Sequence, residues 1–141
     1  LIEFSNLMNK YGKEIEIKFT EEQLNKFYKY MNMLIEWNEK INLTAIIEPK
    51  EIILKHFIDS LAILKYTENS KKFLDIGTGA GFPGIPIKIM RKDLEITLLD
   101  SLNKRINFLN EVIKELNLEK ITAIHSRIED YGRNKEWDSR L

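Results

Sequence analysis

The sequence has no cysteine and only two histidines, so disulfides, thiolate nucleophiles and cysteine-rich metal sites are excluded from the start. It has three prolines and six glycines, and four of those glycines crowd between residues 77 and 84. No apolar run approaches the roughly 20 residues needed to span a bilayer, and no signal peptide precedes the first amphipathic segment. Neither sign of charge is in excess. Residues 1–66 carry 9 Lys and Arg against 10 Asp and Glu, and residues 67–141 carry 13 against 12. A domain held on nucleic acid mainly by phosphate contacts would show a basic surplus, so an RNA substrate requires basic residues clustered in space or a large partner surface. What remains is ordinary globular composition over 141 residues, 43% hydrophobic and 31% charged, compatible with the cytoplasm.

The first third reads as helices. Thr20-Glu-Glu-Gln23 has the form of a capping box. Leu24, Phe27, Tyr28, Met31, Leu34 and Ile35 follow with the spacing of one apolar helical face. Tyr28 and Trp37 have faces able to stack on a base, but on an amphipathic helix the plainer reading is core. Pro49 suits the first turn of another helix, which presents Ile52, Ile53, Phe57, Leu61 and Leu64 inward and ends near Tyr66. Thr67-Glu-Asn-Ser70 is a polar break, and it divides a helical extension, residues 1–69, from a second unit, residues 70–141.

Beyond the break the period changes. Lys72–Ile76, Leu94–Asp100 and Ile121–His125 read as strands. Pro83–Met90 reads as a helix, and Ser101 caps another helix with a stripe of Leu102, Ile106, Leu109, Ile113 and Leu116. Alternating strands and helices imply a parallel sheet with right-handed crossovers, the first half of an α/β doubly wound, Rossmann-like fold. The chain starts at Leu1 and stops before a fourth strand, so we read it as an N-terminal portion of a larger protein, truncated after the third strand.

Gly77, Gly79, Gly81 and Gly84 stand between a strand and a helix, the context that gives such glycines meaning. Four in eight residues exceed what a tight turn needs, and they let a ligand approach the backbone closely. Gly79-Ala-Gly-Phe-Pro-Gly84 fits the dinucleotide pattern G-x-G-x-x-G, which keeps a nicotinamide-dependent oxidoreductase as an alternative. Against it, Gly77 and Thr78 intervene between strand and motif, and Pro83 removes an amide where a pyrophosphate would sit. Asp75, inside the strand, suits a cationic ligand better than a doubly anionic one. S-adenosylmethionine, which has a sulfonium and an ammonium and no phosphate, fits these residues best. Asp100, at the end of the second strand, can accept from two ribose hydroxyls, with Ser101 beside it. A non-catalytic binding module on the same fold is the third reading, and intact Asp75, Asp100 and glycines oppose it.

Four segments carry a resemblance. Trp37-Asn-Glu-Lys-Ile-Asn-Leu-Thr44, His56-Phe-Ile-Asp-Ser-Leu61, Phe73 to Pro86 with its G-F-P-G-I-P, and Leu98-Leu-Asp-Ser-Leu-Asn-Lys-Arg105 resemble, in order and spacing, the bacterial ribosomal RNA small subunit methyltransferase G family. That family was formerly called glucose-inhibited division protein B. The resemblance implies a class I methyltransferase fold with an N-terminal helical extension. It implies S-adenosyl-L-methionine as cofactor and 16S ribosomal RNA, or the small ribosomal subunit particle, as partner, with methyl transfer to N7 of guanine 527. A monomer away from membranes is the expected state. Gly77 and Phe82 match cofactor-contacting loop residues, and Ile128 and Glu129 match the pair that brackets the adenine. Arg140 stands where the family's cofactor arginine would follow an omitted strand. With Asp75, Gly79, Gly81, Asp100 and Ser101 these complete the expected cofactor set.

Guanine N7 carries a lone pair and no proton, so the transfer needs alignment rather than a general base. The absence of a nucleophile or triad is therefore no argument against an enzyme. His56 and Asp59, three apart, would be neighbours on one helix face. They are the candidate substrate-side pair, with anchoring of the helical extension as the plainer role.

Overall fold

Helix α1 (Ile2–Glu14) buries Phe4 and Met8, and α2 (Glu21–Asn38) opens on the expected capping box. The Gln23 amide donates to Thr20 Oγ1 at 3.1 Å while the Thr20 amide donates to Gln23 Oε1 at 2.8 Å. This computed structural model describes residues 1–134, with side chains described through residue 131. Arg140 lies outside the described residues.

The buried arc of α2 is Leu24, Phe27, Tyr30, Met31 and Leu34. Tyr30 is fully buried, whereas the expected Tyr28 is only partly covered and meets the edge of Phe4 at 5.2 Å. The arc is wider than one stripe because α2 is covered on more than one side. Phe57 stacks on Tyr30 at 5.4 Å, and Trp37 meets Phe108 of the sheet-covering layer at 5.5 Å.

Helix α3 comprises Pro49–Glu51, Ile52–Ile58 and Asp59–Leu61 in succession, with Pro49 in its first turn as predicted. Its middle stretch is π-helical, and the Asp59 amide reaches back to the Leu54 carbonyl, five residues away. The wider turn changes which residues align, so Ile58 is buried although the 3.6-residue stripe omits it. The helix ends at Leu61 and a short 3-10 turn, Leu64–Thr67, follows, leaving Tyr66 exposed where the sequence carries the helix on. The polar break after it is held from the far side. Arg91 donates to the Thr67 carbonyl and, at 3.3 Å, to that of Ser70.

Strands β1 (Lys72–Ile76), β2 (Glu95–Asp100) and β3 (Ile121–His125) form a parallel sheet in that order. Asp75 lies opposite Leu98, and Asp100 opposite His125. Helices α4 (Gly84–Met90) and α5 (Asn103–Glu115) make the crossovers, and α6 (Ile128–Asn134) follows β3. One hydrophobic cluster runs from Phe4 to Leu116, so the helical layer and the sheet share a core across residues 69 and 70. Phe57, at its aromatic centre, is fully buried. Truncating such a residue costs about 3–5 kcal/mol.

Ser101 does not cap α5. The chain turns at Ser101 and Leu102, the helix starts at Asn103, and the Leu102 amide donates to Asp100 Oδ1 at 3.0 Å. The helix has no side-chain cap, and the Asp100 carboxylate instead fixes the turn that leads into it. Leu102 is extended and exposed rather than part of the apolar stripe.

Candidate functional site

The end of β1 passes directly into the glycine loop. The amides of Gly77 and Thr78 both donate to the Leu99 carbonyl, at 2.8 and 3.1 Å, so the β1–β2 ladder continues into the turn. Gly77, Gly79 and Gly81 have φ of 67°, 60° and 107°, the left-handed region that favours glycine. The four glycines then separate into two kinds. A Cβ at Gly77 or Gly79 would meet no atom within 4 Å beyond the chain neighbours. At Gly81 it would lie 2.6 Å from Tyr30 Oη, and at Gly84 it would lie 2.9 Å from Asp75 Oδ2. The first two border open space, and the last two exist because the interior is already full.

Asp75 closes the loop from below. It is 6% exposed, and its Oδ2 accepts from Thr78 Oγ1 at 2.7 Å and from the Gly84 amide at 2.9 Å. Burial raises its pKa to about 6 against the opposing pull of those two donors, and nearby Asp100 pushes in the same direction as burial. Gly84 opens α4, so the carboxylate satisfies the first amide of that helix from inside the fold. The expected role of Asp75, facing a cationic ligand, is therefore replaced by a brace inside the fold. Strand alternation turns this side chain toward α4 and away from the open edge of the loop.

Asp100 is the other anchor. Its Oδ2 accepts from the Gly79 amide at 2.9 Å, and its Oδ1 takes the Leu102 amide and, at 3.4 Å, Arg105 Nη1. The sequence offers both oxygens to a ribose, but the fold already uses both. A carboxylate has about four acceptor positions, which leaves room for one ligand hydroxyl more readily than for two.

Beside it opens a cleft of about 350 Å³, lined by Gly77, Asp100, Ser101, Ile128 and Glu129 among others. Five of the expected cofactor residues, distant in sequence, thus line one cavity. The Ser126 amide donates to the Asp100 carbonyl at 3.0 Å, and this bond carries the turn with Ile128 and Glu129 up to the tip of β2. Ile128 is 45% exposed, an apolar face presented to solvent at the rim. Arg127, bound to Asp130 at 2.9 Å and Glu129 at 3.5 Å, is neutralised locally. A wider concavity elsewhere, of about 800 Å³ and bordered by Ile17 and Leu61, has no glycine among its lining residues.

Phe82 does not line the cleft. Its ring packs into the helical layer, 4.3 Å from His56 and 5.6 Å from Tyr30. His56 is half-buried, its Nε2 is paired with Thr44 Oγ1 at 2.8 Å, and burial lowers its pKa although Asp59 pulls the other way. Asp59 itself is exposed. His56 thus keeps Asp59 as an electrostatic neighbour, while its hydrogen bond goes to Thr44, which the Asn38 side chain holds in place, and its ring stacks on Phe82. Sequence reading missed Tyr30, Thr44 and Arg105. Arg105 stands within the quoted Leu98–Arg105 segment, and its Nε is buried with no hydrogen-bond partner among the described residues.

A parallel sheet with a glycine turn after its first strand, an acid at the tip of its second and a ligand-sized cleft between them is the Rossmann-like arrangement of a class I methyltransferase. The family model for the rRNA small subunit methyltransferase G matches residues 23–140. A ribosomal RNA small subunit methyltransferase G of Desulforamulus reducens is 65% identical over 127 residues, 89% of this chain and 53% of its own length. One from Clostridium perfringens strain 13 is 54% identical over 137 residues, covering 96% and 57%. One from Clostridium botulinum strain 657 is 54% identical over 134 residues, covering 94% and 56%. The chain belongs to the rRNA small subunit methyltransferase G family. It spans a little over half the length of these relatives.

Proposed function

We propose that the whole protein is an S-adenosylmethionine-dependent methyltransferase that modifies N7 of guanine 527 in 16S ribosomal RNA, free or in the small subunit particle. Within it, residues 1–69 act as the helical extension and residues 70–141 as the first half of the cofactor domain. The observation that carries the donor assignment is the cleft in which Gly77, Asp100, Ser101, Ile128 and Glu129 meet, in a chain whose family is named for methyl transfer. Pro83, which has no N–H, stands just before α4, where a dinucleotide's pyrophosphate would need an amide, whereas a phosphate-free cofactor is unaffected.

The residues present fit such a cofactor. Gly77 and Gly79 expose backbone, Asp100 keeps acceptor capacity for a ribose hydroxyl, and Ile128 and Glu129 offer an apolar wall and an acceptor for the adenine. The unpartnered Arg105 Nε is a donor left for a ligand oxygen or a water. Asp75, Gly81 and Phe82 act from behind the loop and give it shape. When bound, the cofactor supplies an electrophilic methyl on a sulfonium. The chain's own contribution is to orient it and exclude water, since N7 has no proton to remove.

Calorimetry on the full-length protein tests the donor, with S-adenosylhomocysteine binding and NADH failing to bind as the expected result. Tight NADH binding with no S-adenosylhomocysteine binding overturns the reading. Mapping 7-methylguanosine in ribosomal RNA from cells with and without the gene tests the acceptor, and an unchanged map refutes it.

A further inference from the structure

Three consecutive loop residues touch the helical layer. Tyr30 Oη donates to the Ala80 carbonyl at 2.5 Å, and both residues are buried. Gly81 follows with no side chain, where a Cβ would meet that hydroxyl at 2.6 Å. Phe82 lies under His56, with ring planes 8° apart. His56 is itself tied to Thr44, whose amide donates to Asn38 Oδ1 at 2.9 Å. On the opposite side, the Gly79 amide is held by Asp100. The stretch from Gly79 to Phe82 is thus held between the tip of β2 and two side chains of the helical layer.

A purely packing role does not account for the Tyr30 hydroxyl. Phenylalanine would stack on Phe57 and Phe82 equally well and would avoid desolvating a phenol. The hydroxyl bonds to neither helical neighbour but to the loop, where it satisfies a buried carbonyl. Burial also pushes the phenol well above its ordinary pKa, so it remains a donor throughout the physiological range.

We propose that Tyr30 and His56 are positioning residues of the methyl-donor site, holding Ala80 to Phe82 in the shape that keeps Gly77 open at the cleft and Gly79 seated on the Asp100 carboxylate that lines it. This rests on the donor reading above and deepens it. The helical extension becomes part of the donor site without touching the donor.

The test uses the full-length protein and its Tyr30→Phe, His56→Ala and His56→Phe variants. Backbone hydrogen exchange at Gly79, Gly81 and Phe82 is measured without ligand, and S-adenosylhomocysteine affinity by calorimetry. Tyr30→Phe is expected to speed exchange at these amides and to weaken binding, each by about tenfold for one lost hydrogen bond, with β2 and β3 amides unchanged. His56→Ala moves both readouts the same way, and His56→Phe, which keeps a stacked ring, restores most of the affinity. Uniform acceleration across β2 and β3 with unchanged affinity means a merely structural role and overturns the proposal, as does unaltered loop exchange. If the unsubstituted protein fails to bind the ligand, the donor reading falls, and loop exchange alone decides the positioning role.

Discussion

The imidazole of His56 lies flat on the ring of Phe82, with centroids 4.3 Å apart and planes within 8° of parallel. This contact joins an exposed connection, through Thr44, to the loop that shapes the cofactor cleft. A neutral ring suits it, and burial favours the neutral form.

His56 should therefore titrate below the ordinary histidine value of 6.5. Its folded-state pKa is depressed, so the folded protein binds fewer protons than the unfolded chain just below neutrality. The stability it contributes is present above pH 6.5 and is lost as pH falls toward its folded pKa. Carbon-detected NMR titration of the ring measures the pKa, and the pH dependence of denaturant midpoints should flatten in His56→Gln. A ring titrating above 6.5 contradicts the buried, stacked arrangement.

Asp75 works in the opposite direction. Its pKa is raised from 3.8 to about 6, so the folded protein holds an extra proton between those values. The resulting stability is complete below pH 3.8 and is lost as pH rises through about 6. A shift of about 2 units corresponds to roughly 3 kcal/mol. Asp75→Asn keeps an acceptor for Thr78 and Gly84 and should abolish this slope. Urea titrations at pH 4, 5, 6 and 7 decide the matter, and an identical slope in the variant places the titration elsewhere.

Gly77→Ala and Gly81→Ala should fail differently. Both put a side chain at positive φ, a strain of about 1–2 kcal/mol. Only Gly81→Ala also drives a methyl against Tyr30 and Ile85, so it should lose clearly more stability. Gly77→Ala places its methyl in the cleft, so it should fold and lose donor affinity. Paired thermal melts and ligand titrations separate the two, and equal stability loss argues against the division of the glycines.

Asp100→Ala removes the acceptor of the Gly79 and Leu102 amides together with the partner of Arg105. It should weaken donor binding by about 1–3 kcal/mol and lower stability as well. Asp100→Asn, which keeps one acceptor, should fall between. If Asn and Ala lose affinity equally, the carboxylate's charge matters and its loop bonds do not.

The elements with purely local causes were legible from the chain. The capping box at Thr20 and the first-turn proline at Pro49 depend on neighbours a few residues away, and the outer strands Lys72–Ile76 and Ile121–His125 were legible as short apolar runs although their pairing with β2 is long-range. The glycine turn is local as well, because positive φ is a property of single residues. Ser101 misled, since a hydroxyl before an apolar stripe resembles a cap whether or not the helix starts there. The end of α3 misled for a related reason, because the apolar spacing continues to Leu64 while a π-helical stretch changes the register.

By itself the sequence determined that a glycine loop follows a strand, that an acid ends the next one, and which family those segments resemble. Only the tertiary structure decided what each residue faces. Asp75 turned inward to brace α4, Phe82 turned to the helical layer, and Gly77 and Gly79 alone of the four glycines kept open space beside them. Tyr30 became part of the loop from 50 residues away. The physical reason is that a local pattern specifies backbone conformation, whereas the direction and partner of a side chain depend on which distant surface is packed against it.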